Sequence, residues 1–111
     1  MRVQIENRKE LLWITLPEII TMENIIEVQK RVELKLSENV ERVVLDLSNM
    51  KSISSISISL FLKIRVMALK RELPFCLINI SGECLDQMES IHIDDMFPIF
   101  KDEEALVGRH N

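Results

Sequence analysis

The apolar and polar positions of the chain divide it into alternating strand-like and helix-like stretches. Val3 and Ile5 alternate with polar residues, and Leu11–Leu16 (LLWITL) is a denser run of strand formers. Together they read as two strands of a hairpin, joined near Asn7 to Lys9 and placed at the edge of a sheet. Trp13, the only tryptophan, is expected as a core or sheet-face anchor. Pro17 interrupts the pattern, and Glu18 to Ile20 is expected to add a short extended piece. Thr21 then suits an N-cap for a helix from Met22 to Leu36, with Glu23 in the first turn where the helix dipole favours negative charge. Ile25, Ile26, Val28, Val32, Leu34 and Leu36 form its apolar side, while Gln29, Lys30, Arg31, Glu33 and Lys35 are left for solvent.

The stretch Val43–Leu69 organises the rest. It opens as a strand rich in branched apolar residues (Val43 to Leu47), passes through a loop at Ser48 to Ser54, and enters a long apolar helix with no Gly or Pro before Pro74. Phe75–Ile80 (FCLINI) reads as another buried strand. Ser81 and Gly82 make a turn, and Glu83–Ser90 a short helix with Cys84, Leu85 and Met88 inward. Phe97, Ile99 and Phe100 form a short strand that Pro98 assigns to an edge. Lys101 and Asp102 open a last helix through Val107, stopped by Gly108. The order β-β-α-β-α-β-α-β-α calls for an α/β fold: a mixed central sheet packed by about four helices.

Composition narrows the function classes. With 111 residues the chain is expected to form one domain over 1–111, and 47% apolar with 29% charged residues is ordinary for a soluble globular protein. A net charge of −4 with no Lys/Arg cluster argues against nucleic-acid binding. No apolar run is long enough for membrane insertion and MRVQIENRKE lacks a signal peptide's apolar core, so the expected location is the cytoplasm. Cys76 and Cys84 have neither metal nor redox spacing, and Cys76 reads as a small core residue.

Candidate chemistry is sparse. His92 and His110 stand far apart, and no nucleophile–base arrangement follows from spacing, so no catalytic residue is assigned and the chain is read as a non-enzyme. Asp94, Asp95, Asp102, Glu103 and Glu104 lack the spacing of a calcium loop and are better explained as solvated acids at helix starts. No metal and no cofactor is expected, and there is no Gly-rich phosphate loop. The serines at the start of the central helix are the distinctive feature. Ser54 or Ser55 suits an N-cap, and first-turn N–H groups left unpaired there favour an anion. At 100° per residue from Ile58, the residues Phe61, Leu62, Ala68 and Leu69 fall on one broad face, expected as the core. Leu60, Ile64 and Met67 fall on another, expected either to be covered by neighbours or to serve a partner or a homodimer.

VVLDLSNM, the serine turn, the long helix after it and the closing MESIHIDDMFPIFKDEEAL together resemble the STAS domain family, over nearly the whole chain. The resemblance implies a single-domain α/β fold that acts by binding other proteins, with no enzymatic activity. Asp46 follows the family's LDL pattern and is expected to orient the loop behind it. The family's signature after that strand is Asp-Ser-Ser/Thr-Gly-Leu-Gly, and this chain departs from it. Aligned without a gap from Leu45, the Asp falls on Ser54 and the first Ser on Ser55. The phosphoacceptor position falls on Ile56, the glycines on Ser57 and Ser59, and the intervening Leu on Ile58. Isoleucine cannot accept a phosphoryl group, so the remaining phosphoacceptor candidates are Ser55 and Ser57 in a shifted register.

The resemblance implies a regulatory partner-switching module, similar to anti-sigma factor antagonists, that binds an anti-sigma factor or serine-kinase-like regulator. The binding surface so implied comprises Ser54, Ser55, Ile56, Ser57, Ile58, Leu60, Ile64 and Met67. The alternative is a constitutive STAS subunit of a membrane transport complex, docked on an ATPase or permease subunit, with no phosphate switch.

Overall fold

The computed structural model describes residues 2–108. Strands β1 (Gln4–Arg8), β2 (Leu11–Thr15), β3 (Arg42–Asp46), β4 (Phe75–Ile78) and β5 (Ile99–Phe100) form one sheet in the order β1-β2-β3-β4-β5. β1 and β2 are antiparallel, and every other pairing is parallel. Helices α1 (Met22–Lys35), α2 (Ser55–Lys70) and α3 (Gly82–Ser90) follow β2, β3 and β4, and α4 (Glu103–Gly108) follows β5. Asp94–Met96 forms a 3-10 turn. The mixed sheet with four helices is the architecture that the alternating pattern predicts.

Side chains alternate across each strand, so the sheet has two faces of different depth. Leu12, Ile14, Val43, Leu45, Phe75 and Leu77 lie in the main core with Val28 and Val32 of α1, Leu60, Phe61 and Ile64 of α2, and Cys84 and Met88 of α3. The opposite face carries Trp13, Val44, Cys76 and Ile78 under Leu106 of α4. Two guanidinium groups extend that thin cover: Arg8 lies 4.4 Å from the Trp13 ring centroid and Arg42 5.9 Å from that of Phe100. Trp13 is therefore a sheet-face anchor, 2% exposed. Burial pushes the Cys76 thiol up to about 11, against the opposing pull of Arg42 beside it.

Four local expectations change. Glu18 to Ile20 forms no strand, although Ile20 is buried. The fourth strand ends at Ile78 rather than Ile80 because Asn79 takes a left-handed φ of 57°. In α1 the inward residues are Ile25, Val28 and Val32, while Ile26 and Leu34 face solvent, about 100° and 180° around the helix from Ile25. The β1–β2 hairpin turns at Lys9 and Glu10, both at positive φ, as a two-residue loop of the hairpin twist requires. Neither is Gly or Asn, and side chains hold the turn instead. Asn7 Oδ1 accepts from the Glu10 N–H, and Asn39 Nδ2 donates to Glu10 Oε1.

No helix among the described residues is long and apolar enough to cross a membrane. His110 lies outside the described residues, and His92 is exposed at a positive φ of 60° after α3.

Candidate functional site

The site is built at the edge where β3 delivers the chain to α2. Asp46, the last residue of β3, is 8% exposed and carries the connections. Its Oδ2 accepts from Trp13 Nε1 at 3.1 Å, and its Oδ1 accepts from the Ser48 N–H at 3.0 Å and from Asn79 Nδ2 at 3.1 Å. One carboxylate thus joins β2, the loop leading to α2 and the loop leading to α3. This is the orienting role expected of it, with two further partners that the sequence does not reveal.

The loop that follows is pinned from both sides. Leu47 and Met50 are buried, Asn49 Nδ2 donates to the Leu16 carbonyl at 3.3 Å, and the Ile53 N–H donates to Gln87 Oε1 of α3 at 2.7 Å. Gln87 is a positioning residue with no signal in the sequence beyond its place on a short helix. Ile53 packs against the core edge, leaving Lys51 and Ser52 exposed.

Ser54 then caps α2 with extended backbone, φ −124° and ψ 165°. Its Oγ accepts from the Ser57 N–H at 3.1 Å, while Ser57 Oγ accepts from the Ser54 N–H at 2.8 Å and donates to the Ser54 carbonyl at 2.8 Å. This is a reciprocal capping box closed by two serines. Among the described residues, no acceptor meets the N–H groups of Ser55 and Ile56, and no acid lies in this first turn.

This geometry sorts the expected site residues. Ser54 and Ser55 are exposed, Ile58 is half-buried, and Ile56 is half-buried with part of its side chain on the core. Ser57 is 1% exposed and its hydroxyl is fully engaged within the turn, so a kinase cannot reach it in the folded chain. Ser55 is the candidate phosphoacceptor that stays accessible. The helical-wheel reading of α2 is decided at three positions: of the two expectations for Leu60 and Ile64, cover by neighbours holds and the partner surface does not, and the core assignment of Leu69 fails. Leu60 and Ile64 are fully buried and have no surface to offer a partner, whereas Leu69, expected in the core, is 58% exposed. The inward stripe is Ser57, Leu60, Phe61, Ile64 and Ala68, at the i, i+3, i+4, i+7, i+11 spacing of one helix face. Met67 is half-buried, and it stands eleven residues beyond Ile56, about 16 Å along the axis, so it belongs to a different patch.

A STAS domain profile matches residues 2–106. No curated protein sequence matches the chain. Among solved structures, the fold is similar to RsbS of Moorella thermoacetica, with a TM-score of 0.80 at 14% identity, covering 98% of this chain and 94% of that one. It is similar to an anti-sigma-factor antagonist domain protein from Planctomyces limnophilus, TM-score 0.76 at 16% identity over 100% of both chains. It also resembles part of the murine anion transporter Slc26a9, TM-score 0.71 at 15% identity, covering 92% of this chain but 18% of the transporter. At these identities the solved structures speak for the fold, whereas the profile spans nearly every residue from the edge strand to Leu106, the serine turn included. On that match the chain belongs to the STAS domain family.

Proposed function

We propose that this chain is a non-enzymatic protein-binding regulator of the anti-sigma factor antagonist type, working in the cytoplasm through the exposed start of α2. In this reading Ser54, Ser55, Ile56 and Ile58 meet the partner, an anti-sigma factor or serine-kinase-like regulator. The observation that carries it is the antagonist-like layout, a STAS profile over residues 2–106 and a fold shared over the full length of an anti-sigma-factor antagonist domain protein. Ile56, partly exposed at the helix start where the family pattern places the phosphoacceptor, makes this an unswitched variant. A phosphate there adds roughly −2 charge and drives off an apolar or acidic partner patch. An isoleucine holds the same spot apolar and uncharged, so binding does not turn off by modification at that residue. Any remaining phosphate control falls to Ser55, whose exposed side chain lies one residue earlier.

The test is recovery of the tagged chain from its native cells, with co-purifying proteins and serine phosphorylation read by mass spectrometry, repeated with Ile56→Asp. The expected result is a signalling regulator that binds the native chain and is lost from the Asp variant. Recovery of transport ATPase or permease subunits with unmodified serines would replace this reading with the transport-complex alternative.

A further inference from the structure

α1 and α2 lie side by side on the deep face of the sheet and leave a trough between them, well down α2 from the serine turn. Its floor is mostly apolar, crossed by half-buried Gln29 of α1. Leu62 and Met67 pack partly on the core, and Val66 is 48% exposed. Its rim is basic. Lys63 and Lys70 of α2 and Lys30 of α1 line the trough, all exposed and without an ion-pair partner among the described residues. Glu33, the acid that also lines it, is taken by Arg71 at 3.0 Å.

We propose that this trough docks an acidic amphipathic helix of another protein. The chain as a whole carries a net charge of −4, so three uncompensated lysines beside a mostly apolar floor run against its average and select an acidic occupant. Spacing specifies that occupant further. Lys63 and Lys70 are two turns apart, about 10.5 Å, with Val66 and Met67 between them. A helix with acids seven residues apart and apolar residues three and four after the first acid presents the complementary pattern. A second copy docked by two-fold symmetry brings lysines against lysines, which opposes self-association here. The inference stands apart from the serine-turn reading, since none of these residues belongs to that turn.

The probe is a synthetic, helix-stapled peptide with an apolar stripe flanked by glutamates, titrated into the 15N-labelled full chain beside a counterpart carrying lysines for the glutamates. Amide shifts are expected to stay within Gln29 to Glu33 and Leu62 to Lys70. The acidic peptide is expected to bind at least about tenfold more tightly than the basic one, and to lose about tenfold in affinity with K63E/K70E. The native amide spectrum of that variant confirms its fold, both lysines being exposed. Equal affinity for the two peptides, shifts centred on Ser54 to Ile58, or no binding at millimolar peptide would overturn the proposal. So would concentration-dependent shifts of the trough residues without peptide, which assign the trough to a second copy.

Discussion

The two faces of the sheet are built from the same strands and do different work. The deep face lies under α1, α2 and α3 and holds nearly all of the large buried aliphatic residues. The thin face has one short helix over it, yet it holds the buried carboxylate of Asp46, the buried Trp13 indole N–H and the shifted Cys76 thiol. Apolar bulk supplies the stability on one side. On the other, a few polar links set the geometry of loops that emerge at the sheet edge. The difference teaches that the site at the start of α2 depends on both: its helix is seated by the deep face, and the strand and loop that bring the chain to it are fixed from the thin one.

Removing bulk from the deep face has the largest expected effect. Ile64→Ala leaves a cavity beneath α2 and is expected to cost about 2–5 kcal/mol by denaturant unfolding. A loss under about 1 kcal/mol would return Ile64 to the surface and undo the assignment of the inward stripe. On the thin face, Asp46→Ala strands the Trp13 indole, the Ser48 amide and the Asn79 side chain. The buried indole donor left unmet is expected to cost about 1–3 kcal/mol, and the partly buried Ser48 and Asn79 donors, which water can reach, add less. Trp13 fluorescence, the chain's single indole signal, should change in the same variant.

Cys76 separates the faces by pH. An unfolded thiol ionises near 9.0, while the folded one holds its proton up to about 11. Its contribution is complete below pH 9 and is lost as pH rises from there to about 11, on the order of 3 kcal/mol. Cys76→Val should flatten that segment of the stability profile; an unchanged slope would show that another group sets it. Smaller still is the cap. Ser54→Ala removes one arm of the box and is expected to cost about 1 kcal/mol. Leu69→Ala, on the outer side of α2, should stay within about 0.5 kcal/mol, and a larger loss would show that α2 is turned differently.

Much of this fold was legible because its elements alternate and carry clear punctuation. The Thr21 cap, the break at Pro74 and the strand-to-helix passage at Ser48 to Ser54 all read directly from residue type. The rotation of α2 did not. From Ile56 to Leu69 apolar residues occur on nearly every side of the helix, so the periodicity has no defined phase, and the wheel, right for Phe61 and Ala68, turned Leu69 inward and left Leu60 and Ile64 open. The small serine at position 57 concealed the first buried position, because hydroxyl residues at helix starts read as solvent-facing caps. In α1 the same effect is milder: Ile26 and Leu34 are apolar without being inward. The strand-to-helix turn at Ser54 was located along the chain from residue type alone, since a serine there caps α2. Its anchors at Gln87, Asn79 and Trp13 are set by contacts 33 or 34 residues away, which no local pattern encodes.

The shared carboxylate of Asp46 has a kinetic consequence. Because it holds Ser48 and Asn79 together, and Gln87 holds Ile53, the loops before α2 and α3 are fixed before any encounter. If the proposed function holds, a partner landing across that edge meets a surface already in shape, with little chain to immobilise and little waiting for a rearrangement. In the proposed reading, association would then proceed at the rate set by diffusion and orientation, and the lifetime of the complex would be decided by what the exposed residues of the first turn of α2 touch.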